Sequence, residues 1–113
     1  MTESEFLALA EATLNDIEAA LERASSDSDL DVECSRSGNV MEIEFVDNGS
    51  KIIVNSQEPM QEIWVAARSG GFHYRHEGGV WKNTRDGSEL FAALSKVVSE
   101  QSGTPVILDA RRQ

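Results

Sequence analysis

The chain has a single cysteine, no long apolar run and half as many bases as acids. One cysteine, Cys34, in 113 residues rules out an intramolecular disulfide and is compatible with a reducing compartment. No apolar stretch approaches the roughly 18 residues of a membrane span, so no membrane association is expected. The start, MTESEF, is acidic, with no basic segment leading into an apolar one, so no secretory leader is expected. It is equally unlike an Arg-rich mitochondrial presequence. A soluble cytoplasmic protein is the expectation. Phosphate-binding and zinc-protease signatures are missing too: there is no GxxxxGK, GxGxxG or HExxH. Neither His73 nor His76 has an acid three residues before it, which removes the Glu-x-x-His pairing of di-iron bundles. No nucleophile with an adjacent base is visible, so the chain is not expected to be an enzyme.

The shortage of bases is uneven. Ten Lys and Arg face 20 Asp and Glu, for a net charge of −10. Residues 1–62 hold 15 acids and 3 bases, whereas residues 63–113 hold 5 acids and 7 bases. Nucleic acid is excluded as a partner of the first half, because phosphates would be repelled. Cations or a basic protein surface suit it better. A length of 113 residues and 40% hydrophobic content fit one domain with one core, spanning 1–113 with a frayed tail at 109–113.

Residues 3–24 read as a helix, with Phe6, Ala10, Leu14, Ile17, Leu21 and Ala24 at steps of three and four. Thr2 and Glu5 form a candidate capping box. The other face carries Glu11, Asn15, Glu18 and Glu22, with Arg23 the one base within reach. Next comes DSDLDVEC, residues 27–34, where every second residue is acidic. As a strand it would align Asp27, Asp29, Asp31 and Glu33 on one face, opposite Leu30, Val32 and Cys34. Carboxylates at i and i+2 would sit roughly 7 Å apart. That is inside the Debye length of about 8 Å at physiological salt, so they repel. An edge strand guarded against aggregation is the plain explanation. A calcium loop is not: Val32 stands where its glycine belongs and Gly38 where its glutamate belongs. What remains is an open carboxylate ridge suited to hard cations, bound weakly and at several places.

The middle reads as an antiparallel meander. SRSGN turns into VMEIEF, with Met41, Ile43 and Phe45 inward and Glu42 and Glu44 outward. Asn48-Gly49 signals a hairpin into SKIIVN. A loop at QEP precedes EIWVAAR, Ser69-Gly70-Gly71 leads into FHYRH, and Gly78-Gly79 leads into VWK. A second helix is expected from near Asp86, with Glu89 completing an acidic capping box. Its core stripe is Leu90, Leu94, Val97 and Val98, and Gly103 is its C-cap. Residues 106–108 then dock as a short tail. The fold class is α+β: a two-layer sandwich with N- and C-terminal helices on one face of a five- to six-stranded antiparallel sheet. Two helices cover only one face, which leaves the other open. Trp64 and Arg68 are expected on that open face, together with His73 and Arg75, while Phe72 and Tyr74 point inward. An exposed Trp beside Arg is the composition of an interaction hot spot. The alternative is a Trp lying on a half-wet sheet under a stacked Arg. His73 and His76, three apart in a strand, face opposite ways and do not make a two-histidine site. Cys34 falls on the apolar face, where it acts as a small hydrophobe.

NSQEPMQEIW, residues 55–64, resembles the signature of the frataxin family: Asn, Gln and Pro at alternate positions, then Ile-Trp. The order SEF, DSDLD, NGSKIIVN, GGFHY and a DG pair before the second helix agrees with the bacterial branch over about Glu3 to Leu108. The resemblance implies weak, reversible binding of Fe(II) or Fe(III) and a role in iron–sulfur cluster assembly. It also implies a cysteine desulfurase and a cluster scaffold protein as partners, and a monomer with iron-dependent oligomers as a further state. Carried over by position, it implies metal ligands at Glu18, Glu22, Asp27, Asp29, Asp31 and Glu33, and partner contacts at Asn55, Gln57, Pro59 and Trp64. Arg68 joins the partner set from its place on the open face. Ala19, Arg23 and Ser25 replace residues that are often acidic in bacterial relatives, which implies a thinner ridge at the helix end. Arg36 falls in the first hairpin, which is slightly longer than in relatives. A different class of protein shares the ridge: an acidic inhibitor that mimics a polyanion and blocks a basic enzyme without metal.

Overall fold

The structure is a computed structural model, and it describes residues 1–109. Helix α1 (Glu3–Asp27) opens on the expected capping box: the Thr2 hydroxyl accepts from the Glu5 N–H at 3.1 Å, and the Glu5 carboxylate accepts from the Thr2 N–H at 2.7 Å. The helix runs three residues beyond the expected end at 24. The Ser28 hydroxyl donates to the Ala24 carbonyl at 2.7 Å, which occupies an acceptor that the last turn leaves unpaired, and the Ser26 hydroxyl donates to the Glu22 carbonyl at 3.1 Å. Ser28 then leaves the helix in an extended conformation.

Six strands follow: β1 (Val32–Ser37), β2 (Val40–Phe45), β3 (Lys51–Gln57), β4 (Glu62–Ala67), β5 (Gly70–Glu77) and β6 (Val80–Asn83). They form one antiparallel meander in sequence order, with β1 and β6 at its edges. This corrects the expected acidic strand. Asp27 ends α1, Asp29 and Asp31 lie in the connection, and only Glu33 belongs to β1. Arg36 is likewise a strand residue paired with Met41, not part of the hairpin turn. Arg68 lies in the β4–β5 turn rather than on the open face, and its N–H donates to the Gln101 side chain at 2.8 Å. Gln57 ends β3 instead of starting the loop. At the Asn48-Gly49 turn Gly49 has φ of +72°, the left-handed conformation that glycine adopts without strain.

Helix α2 (Leu90–Ser102) begins later than expected. Glu89 itself is the cap, accepting from the N–H groups of Phe91 and Ala92 at 2.8 and 3.1 Å. Asp86 instead closes a turn by accepting from the Ser88 N–H and hydroxyl at 2.9 and 2.7 Å. Gly103 ends the helix at φ +75°. The tail 106–108 docks by a ladder of serines: Ser99 bonds the N–H and carbonyl of Val106, and Ser95 those of Leu108. Leu108 is buried while Ile107 points to solvent. The frayed tail expected over 109–113 lies, beyond Asp109, outside the described residues.

Both helices pack on one side of the sheet. Phe6, Leu14, Ile17 and Leu21 of α1 meet Met41, Ile43, Ile52, Val54, Ile63, Val65 and Tyr74, and α2 adds Leu90, Leu94 and Val98. Trp81 is buried against α1, where its indole N–H donates to the Thr13 hydroxyl at 3.0 Å. His76 meets Trp81 edge-on at 5.1 Å on this inner side. Among the described residues no helix is long and apolar enough to cross a membrane.

Candidate metal-binding edge and partner-binding sheet face

The acidic residues wrap the edge strand β1 rather than forming one flat row. Glu18 and Glu22 belong to α1, where it passes β1, and they border a shallow groove with Leu21, Val32 and Cys34. Cys34 faces this groove from the inner side of β1. Burial pushes its thiol up to about 11, and the carboxylates of Glu18 and Glu22 add to that. Glu33 is exposed and points to the helix-free face, directly opposite Glu44 on β2. Two acids facing each other across a sheet repel. Lys51 stands opposite Glu44 on the far side and lies 3.5 Å from Glu42.

Arg36 supplies a counter-charge to the acidic stripe of α1. Its side chain is only 20% exposed and crosses from β1 to α1. There it donates to the Asn15 side chain at 2.9 Å and lies 3.8 Å from Glu18 and 4.0 Å from Glu11. The guanidinium therefore neutralises part of the helix stripe, and Glu22 is left toward the ridge. Arg23 turns away from the ridge, to the Asp109 carboxylate at 3.2 Å and its carbonyl at 3.0 Å.

The helix end is the most acidic part. Asp27, Asp29 and Asp31 are exposed, and the last turn of α1 holds no base. A helix C-terminus carries partial negative charge, so these carboxylates sit where the helix dipole disfavours them. Asp29 and Asp31 share the rim of a small hollow with Asp47 of the β2–β3 turn. Pairing of Val32 with Phe45, extended by a 3.1 Å bond from the Val46 N–H to the Asp31 carbonyl, brings Asp47 to that end. Among the described residues no group of three or more His, Cys, Asp or Glu is gathered tightly enough to hold a metal ion.

The second candidate surface is the helix-free face of β3, β4 and β5. Asn55 pairs with Trp64, which pairs with His73; Gln57 pairs with Glu62, which pairs with Arg75. Residues in register point to the same face. Trp64 is half-buried, and its ring stacks on the His73 imidazole with centroids 4.2 Å apart and planes within 6°. The stacking partner is thus His73, not the arginine of the alternative reading. The Trp64 indole N–H donates to Glu62 at 2.8 Å, and Arg75 donates to the other Glu62 oxygen at 2.7 Å. His73 Nδ1 lies 3.6 Å from Glu62 as well. The Glu62 side chain is only 5% exposed, although it belongs to the open face. The Gln57 amide donates to the Asn55 side-chain oxygen. Pro59 is exposed in the β3–β4 turn, beside the Glu62 end of this patch. Arg68, at the other end of β4, does not join it.

The structure therefore brings together Asn55, Gln57 and Trp64, puts Pro59 at their border and separates Arg68 from them. It also extends both sets. Glu62, which the sequence did not mark, and His73, expected on this face, complete the Trp64 cluster. Asp47 and Glu44 extend the acidic edge, and Arg36 limits it. The available signal for Glu62 was its place two residues before Trp64, which puts both on one face of a strand.

A frataxin-like domain model matches residues 1–104. The chain belongs to the frataxin family. Curated relatives include the iron–sulfur cluster assembly protein CyaY of Janthinobacterium sp. (strain Marseille), which is 72% identical over 108 residues and 96% of each chain. The protein of the same name from Herminiimonas arsenicoxydans is 69% identical over 108 residues, again 96% of each. Among solved structures, a frataxin from Psychromonas ingrahamii superposes with a TM-score of 0.85 at 31% identity, covering 99% of this chain and 100% of that one. The trimeric frataxin of Saccharomyces cerevisiae in its ferrous complex superposes with a TM-score of 0.70 at 27% identity, covering 83% and 85%. The family's two-helix, antiparallel-sheet fold is the one expected above.

Proposed function

We propose that this protein is a non-enzymatic, cytoplasmic accessory protein of iron–sulfur cluster assembly that binds iron weakly along the β1 edge. It regulates the complex of cysteine desulfurase and scaffold protein, or supplies iron to it. The carrying observation is the run of exposed carboxylates at the C-terminal end of α1 and in the connection to β1, with no base in the last helical turn. A cation or a basic surface placed there relieves both carboxylate repulsion and the helix dipole. Glu18, Glu22, Asp27, Asp29, Asp31 and Glu33 are the proposed ligands, with iron as cargo. Binding is weak because the carboxylates are spread over a helix, a loop and a strand, so no tight cage is preformed.

The same ridge docks on a basic surface of the desulfurase, so iron and desulfurase compete for it. Asn55, Gln57, Pro59 and Trp64 form the surface for a second partner, the scaffold. The names of the curated relatives and the ferrous complex of the yeast structure support this reading. The test is iron titration of a variant with Asp27, Asp29 and Asp31 changed to Asn and Glu33 to Gln, followed by amide spectra. Loss of the iron response at these residues is expected. An unchanged response overturns the ridge, and no iron response in the unaltered protein would point to a metal-free, polyanion-like inhibitor instead. Trp64→Ala is expected to weaken complex formation with the scaffold while the fold persists.

A further inference from the structure

We infer that Glu62 is the positioning residue of the open sheet face: its buried carboxylate locks Trp64, His73 and Arg75 into one preformed recognition surface. The inference rests on the reading of Trp64 as a partner contact, and it names what makes that contact rigid.

A carboxylate on the solvent side of a sheet has no need to be buried. Glu62 is buried because Gln57 and Arg75 flank it in register and Trp64 leans back over it from two residues along β4. Its two oxygens have separate tasks. Oε1 accepts from the Trp64 indole N–H at 2.8 Å, and Oε2 accepts from the Arg75 guanidinium at 2.7 Å. His73 Nδ1 is 3.6 Å from Oε1, and the His73 ring lies flat on Trp64 at 4.2 Å. The indole is thus held at its nitrogen by Glu62 and across its face by His73. A half-exposed Trp without these restraints would sample several rotamers and lose that freedom on binding. A pre-oriented ring loses less, which is how an interaction anchor gains affinity without an added contact. Arg75 is half-exposed and remains available to a partner while one edge is pinned by Glu62.

A glutamine at this position keeps an acceptor at one of the two oxygen positions and puts an NH2 donor at the other, so Glu62→Gln in the same pose loses the bond to Trp64 or to Arg75. Leucine would satisfy neither. The experiment compares Glu62→Leu, Glu62→Gln and Trp64→Ala, each checked for an intact fold by circular dichroism. The Trp64 indole N–H signal and acrylamide quenching are read in a Trp81→Phe background. Affinity for the scaffold–desulfurase complex is measured in the otherwise unaltered chain. The expected result is a shifted indole signal, stronger quenching and about tenfold weaker binding for Glu62→Leu, with Glu62→Gln in between. If Trp64→Ala weakens binding but Glu62→Leu changes neither the indole signal nor the affinity, the positioning role is overturned. If Glu62→Leu fails to fold, Glu62→Gln decides by the same two readouts. If Trp64→Ala leaves binding intact while the indole signal responds to Glu62, the partner reading fails and the positioning of the ring stands.

Discussion

Two residues at the β1 edge behave differently from their appearance in the sequence. Cys34 is the sole thiol, half-exposed in a groove, yet burial and the carboxylates of Glu18 and Glu22 raise its pKa to about 11. The thiolate is the reactive form, so at neutral pH almost none is present. Reaction with a disulfide reagent is expected to be far slower than for the unfolded chain and to accelerate as pH approaches 11. Because the folded value lies above the ordinary thiol value of 9.0, the neutral thiol's contribution to stability is complete below about pH 9 and lost as pH rises toward 11. Arg36 is the second residue. It reads as a hairpin residue in the sequence, but its register opposite Met41 turns it toward α1 and its acids. Arg36→Met keeps the apolar stem and removes the charge. A loss of about 1 kcal/mol is expected, by analogy with partly buried, charge-assisted bonds. Urea unfolding at low and high salt checks it, and the loss should shrink as salt screens Glu11 and Glu18.

At the scale of elements, periodicity revealed what local pattern can reveal. The stripe from Phe6 to Leu21, the capping box at Thr2, the inward set Met41-Ile43-Phe45 and the cap at Gly103 all form as the spacing implies. The failures occur where tertiary context decides. DSDLDVEC alternates like a strand, but α1 runs through Asp27 and the Ser28 hydroxyl closes its end on the Ala24 carbonyl. The partners of Trp64 depend on cross-strand register, which no single segment specifies. The C-terminal tail shows the same division. In VIL the middle residue alone is free, since Val106 and Leu108 are tied to Ser99 and Ser95. Leu108→Ala is expected to cost about 2–3 kcal/mol, because its side chain is buried among both helices' core residues. Ile107→Ser is expected to change stability by less than about 0.5 kcal/mol, because Ile107 is 85% exposed. Thermal unfolding of the pair checks both, and equal effects would mean the tail is not docked as described.

At the scale of the whole molecule, charge rather than packing distinguishes this chain. The sequence shows an excess of acids in its first 62 residues, and the fold converts that excess into a localised edge. Arg36 and Lys51 offset part of it, while Asp27, Asp29 and Asp31 gather at the negative end of α1. Such an arrangement is disfavoured in isolation, so any condition that reduces it should stabilise the fold. Raising salt from about 10 mM to 150 mM shortens the Debye length from about 30 Å to about 8 Å and should raise the melting temperature. Asp27→Asn is expected to stabilise the protein at low salt by about 0.3–1 kcal/mol, the usual size of a helix-terminus charge effect. Part of that gain should vanish at high salt. The same logic sets the effect of iron. A cation bound at the helix end relieves the same repulsion, so added iron should stabilise the unaltered protein more than a variant with Asn at positions 27, 29 and 31. Differential scanning of both proteins, with and without iron at low salt, measures the difference. Equal stabilisation would separate the electrostatic strain of the edge from metal binding and leave the helix end with a basic protein surface as its counterpart.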